Sequence, residues 1–308
     1  MMPGTSFSWN LLTDLQDLWS FPFMVNAFRA GAIVAVLAGV IGWFMVLRRQ
    51  TFAGHTLSVV AFPGAAGAIL IGVSAVYGYF TFCVGAALAL ALATRGRQGS
   101  LGRLGQESAL TGTLQSFGLA CGLLFVALYK GFLEGFTALL FGSFLGITSG
   151  QVILLAVVAV VVLGVLAVIG RPLLFASADP DVAAARGVPV RALSVAFLVL
   201  LGAAVAEASQ ITGALLVFAL LVMPAATAQR LTARPLRSLL LTVAIGWTVT
   251  WAGLVAAYYS PYPIGFYVTT FAFVAYLTAH LPGGVAARTV RRRIHPPRID
   301  LTLTEGAA

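Results

Sequence analysis

Residues 192–228 read ALSVAFLVLLGAAVAEASQITGALLVFALLVMPAATA, a block whose one ionisable side chain is Glu207. About 20 apolar residues suffice to cross the hydrocarbon layer of a bilayer as a helix, so this block has room for two crossings. Glu207, Ser209 and Gln210 interrupt it, and the reading places a tight turn there, with helices at 192–208 and 211–228. Fusing the block into one helix would reverse the sidedness of everything after it. Arg230, Arg234 and Arg237 would then lie opposite the other arginine-rich loops, against the rule that Lys and Arg stay on the cytoplasmic side.

Working outward, further apolar runs lie at 24–47, 56–73, 77–94, 108–129, 151–169, 238–257 and 265–281. The chain of 308 residues is 60% hydrophobic and only 9% charged, whereas a water-facing surface needs roughly a quarter charged residues. The expected fold is an all-α integral membrane protein, a polytopic bundle of 8–9 transmembrane helices. On the nine-helix map, every one of the 18 basic residues except Lys130 and Arg29 falls on one side. That asymmetry predicts an outside N-terminus and an inside C-terminus. Residues 1–23, with Asp14 and Asp17 among leucines and Trp9 and Trp19, read as an amphipathic interfacial segment. Residues 24–281 form the transmembrane domain, and 282–308 a basic cytoplasmic tail. Between the fourth and fifth runs, Phe136 to Thr148 (FTALLFGSFLGIT) is too short to span and too apolar for an ordinary loop, so a re-entrant or interfacial segment is expected. Pro63 and Pro224 inside apolar runs are expected to kink or interrupt their helices.

Several function classes are excluded. The net charge of +9 follows membrane topology rather than forming one basic patch, so a nucleic-acid partner is not indicated. There is no G-x-x-x-x-G-K-[ST] phosphate loop, and the single lysine, Lys130, lies on the outer side of the map. Neither a G-x-S-x-G elbow nor an H-E-x-x-H pair occurs. Cys83 and Cys121 stand alone in apolar runs and read as small buried hydrophobes. An ion-coupled secondary carrier acting alone stays as a disfavoured alternative, since it would need ionisable residues near the middle of its spans, which this chain almost lacks.

The most structured polar segment is 171–191, RPLLFASADPDVAAARGVPVR. Asp179 followed by Pro180 reads as a helix N-cap with proline at the first helical position, and Gly187 followed by Pro189 as a stop. A short, well-bounded helix is expected on the cytoplasmic face, either as a plain connector or as a docking helix for a partner.

The stretches ADPDVAAARGVPVRALSVAFLVLLG and QITGALLVFALLVMPAATAQRL resemble the C-terminal half of the zinc/manganese permease family of ABC transporters. FMVNAFRAGAIVAVLAGVIGWFMVLRRQTFAG, AFPGAAGAILIG and LLFGSFLGIT resemble its opening helices and its short mid-chain segment, in the same order along residues 21–281. The resemblance implies a permease subunit of an ATP-binding-cassette importer in the bacterial cytoplasmic membrane, which moves divalent metal ions such as zinc or manganese inward by alternating access. Its partners would be a cytoplasmic ABC ATPase, an extracytoplasmic solute-binding protein and a second permease copy or paralogue. The chain would bind no cofactor of its own, and the transported divalent metal would be its cargo. Asp179, Pro180, Asp181, Ala183, Arg186 and Gly187 would belong to the helix that couples it to the ATPase.

One motif departs from the family. Where relatives carry G-D-A-L-S-H-A-A-L-P-G, this chain reads GHTLSVVAFPG from Gly54 to Gly64. The family's Asp and His, four apart on one helix face, suit a divalent cation. Here those positions are His55 and Val59. His55 is then either a lone metal ligand or a satisfied interfacial residue, and a metal chelate or another small solute becomes the alternative cargo. Further candidates for the substrate path are Ser58 beside it, Gln115 inside the fourth run, Glu107 at that run's start and Glu207 at the expected outer turn. Packing, dipole complementation and turn capping would account for them as well.

Overall fold

The computed structural model describes residues 19–93, 100–129, 139–142, 146–214, 216–260 and 262–281, with the backbone alone for 100–108 and 110. Its helices, in chain order, are α1 (Pro22–Leu47), α2 (Thr51–Leu70), α3 (Ala75–Ala93), α4 (Ser100–Leu128), α5 (Ser149–Ala178), α6 (Pro180–Ala185), α7 (Val190–Thr212), α8 (Val217–Leu231), α9 (Pro235–Tyr258) and α10 (Ile264–His280). Seven of them are long and apolar enough to cross a membrane. α8 and α10, of 15 and 17 residues, are shorter apolar helices. At 1.5 Å per residue they reach only about 22 and 25 Å. No strand occurs among the described residues. The expected helical membrane bundle is therefore present.

The core lies where α1, α2 and α7 meet their neighbours, and α1 packs on α5, α7, α8 and α9. Small residues let backbones approach there. A Cβ on Gly42 of α1 would lie 2.1 Å from the Leu221 carbonyl oxygen of α8, and one on Gly64 of α2 would lie 2.4 Å from that of Gly78 on α3. Where the surroundings are as apolar as the helices, such close packing is what holds them together. By contrast, α5 turns Ile153, Val157, Val160, Val161 and Val168 outward.

Hydrogen bonds bring the arginine-bearing ends together. Arg48, just past α1, bonds Ser177 near the end of α5 and Ser194 in the second turn of α7. The indole of Trp43 donates to Ser238 Oγ on α9, and Gln229 of α8 donates to the Trp43 carbonyl. At the other end, Asn26 of α1 donates to the Ile147 carbonyl and to Ser149 Oγ at the start of α5. Arg48 and Arg49, the α5–α7 connection with Arg186 and Arg191, and the α8–α9 turn with Arg230 to Arg237 thus share one end of the bundle.

The break in the 192–228 block is not at Glu207. α7 runs through Glu207, Ser209 and Gln210 and stops at Gly213, which has φ +78°. Gln210 and Thr212 stay in the helix by bonding to it, to the Ala206 and Ala208 carbonyls, whereas Glu207 and Ser209 are buried without a partner. A positive φ is costly for any residue with a Cβ, so glycine marks the break. Gly142, also at positive φ, packs against the same point, where its Cβ would lie 2.2 Å from the Ile211 carbonyl oxygen. The Ala214 amide donates to the Leu139 carbonyl, so residues 139–142 of the expected short segment do pack on protein.

Other boundaries shift as well. α5 extends through Arg171 and Pro172 to Ala178 rather than ending near 169, so the first third of the expected loop is helix. α2 and α8 continue through Pro63 and Pro224 without interruption. Most of the N-terminal segment 1–23, and the whole tail 282–308, lie outside the described residues.

Candidate translocation site and coupling face

α2 begins after a turn in which Arg49 adopts φ 57°, and His55 follows within its first two turns. The imidazole sits between three helices. Its Nε2 is 3.2 Å from Nε2 of Gln115 on α4, and its ring meets Phe218 of α8 edge-on, with centroids 4.8 Å apart. Nδ1 is buried with no hydrogen-bond partner, as is the hydroxyl oxygen of Thr56 next to it. Ser58 is buried too, but its hydroxyl donates to the His55 carbonyl at 2.7 Å and turns back onto its own helix. The structure thus brings His55, Ser58 and Gln115 together.

Glu207 is not part of that group. It is fully buried within α7, and neither carboxylate oxygen has a hydrogen-bond partner. It therefore caps no turn, because α7 continues past it for another turn and a half. The Glu107 side chain lies outside the described residues. Among the described residues, no group of three or more His, Cys, Asp or Glu side chains could hold a metal ion. The polar atoms gathered here are the imidazole nitrogens, the Gln115 carboxamide and the hydroxyls of Thr56 and Ser58, a sparse set without a carboxylate among the described residues.

The short helix α6 forms as its caps dictate. Asp179 Oδ1 accepts from the Val182 amide at 3.0 Å, and Pro180 opens the helix. At the other end Gly187, φ +81°, donates to the Ala184 carbonyl, and Val188 donates to that of Ala183. This paired closure satisfies the last carbonyls of the helix. Pro180, Asp181, Val182, Arg186 and Gly187 are exposed, whereas Ala183 is fully buried against the chain itself. Ala183 anchors α6; the face available to a partner is formed by its neighbours.

Arg48 was read from the sequence only as a topological marker, yet it is the best-connected cation among the described residues. Its Nη1 and Nη2 donate to Ser177 and Ser194 at 3.1 and 2.8 Å, its Nε donates to Gln50 at 3.3 Å, and its guanidinium lies 5.3 Å from the Phe197 ring centre. Burial lowers its pKa from the usual guanidinium value, though arginine remains charged at any physiological pH. Phe218 and Thr56 were also missed, because an aromatic and a threonine in apolar runs carry no signal of their own.

The family model of the ABC 3 transport family matches residues 20–282. The chelated iron transport system membrane protein YfeC of Yersinia pestis is 31% identical over 293 residues, covering 93% of this chain and 97% of that one. The manganese transport system membrane protein MntC of Listeria innocua is 28% identical over 244 residues, covering 79% of this chain and 85% of its own length. The solved structure of PsaBC from Streptococcus pneumoniae in complex with Fab superposes with a TM-score of 0.79 at 24% identity, covering 92% of this chain and 99% of that one, a likeness of fold. With the helical bundle and nearly the whole hydrophobic domain matched, this chain belongs to the ABC 3 transport family, as a multi-pass membrane permease subunit that is not itself an enzyme and leaves ATP hydrolysis to a separate subunit.

Proposed function

We propose that the chain forms the path of a bacterial cytoplasmic-membrane importer that carries a divalent metal ion inward by alternating access. A second permease, copy or paralogue, a cytoplasmic ATPase and an extracytoplasmic binding protein complete the machine. The observation that carries this reading is the His55–Gln115 contact between α2 and α4, with the imidazole Nδ1 left unpartnered. A buried polar nitrogen without a partner is costly unless something visits it. The relatives transport manganese and chelated iron, so manganese and iron rank ahead of zinc as cargo. A metal chelate is the second reading, supported by the lack of a multi-ligand cage among the described residues and by the YfeC relative.

α6 is the element we assign to ATPase docking, through the exposed Pro180, Asp181, Val182, Arg186 and Gly187. Closure of the ATPase pair would move it and shift the bundle between outward-open and inward-open states.

The test is uptake of radiolabelled Mn2+, Fe2+ and Zn2+ in a strain lacking the chromosomal copy, restored with the parent or with His55→Ala. The parent restores uptake of at least one ion, and His55→Ala lowers that uptake about tenfold at equal membrane abundance. Equal uptake by both across all three ions removes His55 from the path.

A further inference from the structure

The α5–α6–α7 segment is a hairpin with α6 at its tip, and its two arms leave the tip at Ser177 and Ser194. Both arms are held by one side chain from elsewhere. Arg48 donates from Nη1 to Ser177 Oγ and from Nη2 to Ser194 Oγ, at 3.1 and 2.8 Å. The two serines are prepared as acceptors, because each spends its own proton within its helix: Ser177 donates to the Leu173 carbonyl and Ser194 to that of Val190. Only lone pairs then face the guanidinium, and charge-assisted bonds of this kind are the strong ones. Phe197, fully buried one turn beyond Ser194, adds the face of its ring at 5.3 Å. A planar fork reaches two acceptors at once, which a lysine ammonium cannot do in the same geometry.

Arg48 also stands at a junction. It is the C-cap of α1, and Gln50, to which its Nε donates, is the N-cap of α2. His55 is five residues beyond Gln50. A displacement of the hairpin tip therefore meets, at one residue, the start of the helix that carries the candidate site. We infer that Arg48 is the positioning residue through which movement of the α6 tip is passed to α1 and α2. The inference rests on the docking role proposed for α6, and it adds a route that the docking reading alone does not require.

The experiment uses the chain assembled with its ATPase subunit in proteoliposomes. Cys83 and Cys121 are replaced by Ala, and one cysteine is placed at Phe52, exposed in the first turn of α2. Its labelling rate by a maleimide is read with and without trapping of the ATPase by ATP and vanadate. This readout needs no knowledge of the cargo. Trapping is expected to change the rate several-fold with Arg48 present and to leave it unchanged in Arg48→Met. The double variant Ser177→Ala with Ser194→Ala keeps the charge and bulk of Arg48 and removes only its acceptors; it should lose the response as Arg48→Met does, and it decides the matter if Arg48→Met fails to assemble. A parental response in the double serine variant, or no response with Arg48 and both serines intact, overturns the inference. The docking reading fails separately, if a cysteine at Val182 forms no crosslink to the ATPase.

Discussion

The side-chain nitrogens of Gln115 and His55 meet at 3.2 Å across the α2–α4 contact, while the second imidazole nitrogen faces no partner. An amide N–H donating to Nε2 requires the proton on Nδ1; an amide turned to present its oxygen requires the proton on Nε2 and frees the Nδ1 lone pair. With the amide nitrogen against Nε2, as it stands here, the proton lies on Nδ1, and turning the amide is what frees the Nδ1 lone pair for a cation; the carboxamide can therefore select the tautomer. Gln115→Leu removes that selection and is expected to lower the initial rate of Mn2+ uptake about tenfold at unchanged membrane abundance. Parental uptake would mean that the amide does not serve the ring.

The contact of Gly42 with α8 gives a prediction about folding alone. A Cβ there would fall 2.1 Å from the Leu221 carbonyl oxygen and 2.9 Å from its carbon, both backbone atoms that cannot swing aside. Gly42→Ala should force α1 and α8 apart, at a cost of about 1–3 kcal/mol, and lower the midpoint of thermal unfolding in detergent. Gly164 on α5 is the control, exposed and with nothing within 4 Å of its would-be Cβ. Gly164→Ala should hold or raise the midpoint, since alanine is the better helix former by about 1 kcal/mol. Equal midpoints for Gly42→Ala and the parent would refute the close approach.

The helical bundle was legible because lipid demands long apolar runs, and every run expected between 24 and 281 corresponds to a helix. The caps of α6 were legible because Asp-Pro and Gly-x-Pro fix backbone geometry locally. The turn near Glu207 misled because polarity in a membrane helix does not mark its end. Gln210 and Thr212 satisfy themselves on carbonyls one turn back, and the signal that mattered was Gly213, one residue after Thr212, where φ turns positive. The junction at Arg48 was hidden for another reason. Its partners, Ser177 and Ser194, are 129 and 146 residues away, and no local pattern reports a contact across that distance.

Glu207 offers a sharper test than its place in the sequence suggested. With no exposed surface and neither oxygen partnered, an ionised carboxylate would lie in the protein interior without compensation. Glu207→Gln keeps the shape and supplies the same hydrogen-bonding length without the charge. It is expected to reach the membrane as well as the parent, to unfold no earlier and to retain most uptake. Glu207→Lys, which buries a cation at the same place, should fail to accumulate. If Glu207→Gln abolishes uptake while remaining folded, the carboxylate belongs to the cation path after all.

Gly187 separates backbone strain from steric crowding at the α6 tip. Its φ is +81°, but a Cβ added there would meet nothing within 4 Å. Substitution therefore acts through conformation alone. A β-branched residue resists the left-handed region, at a cost of about 1–2 kcal/mol, whereas asparagine visits it readily. Gly187→Val should loosen the closure in which Val188 and Gly187 donate to Ala183 and Ala184, so that the ATPase still hydrolyses ATP while uptake per ATP falls several-fold. Gly187→Asn should behave much as the parent does. The ratio of ions taken up to phosphate released, measured in proteoliposomes with Mn2+ as the probe, reads the difference. An unchanged ratio in Gly187→Val would show that the geometry of this tip is not what links the ATPase to the path.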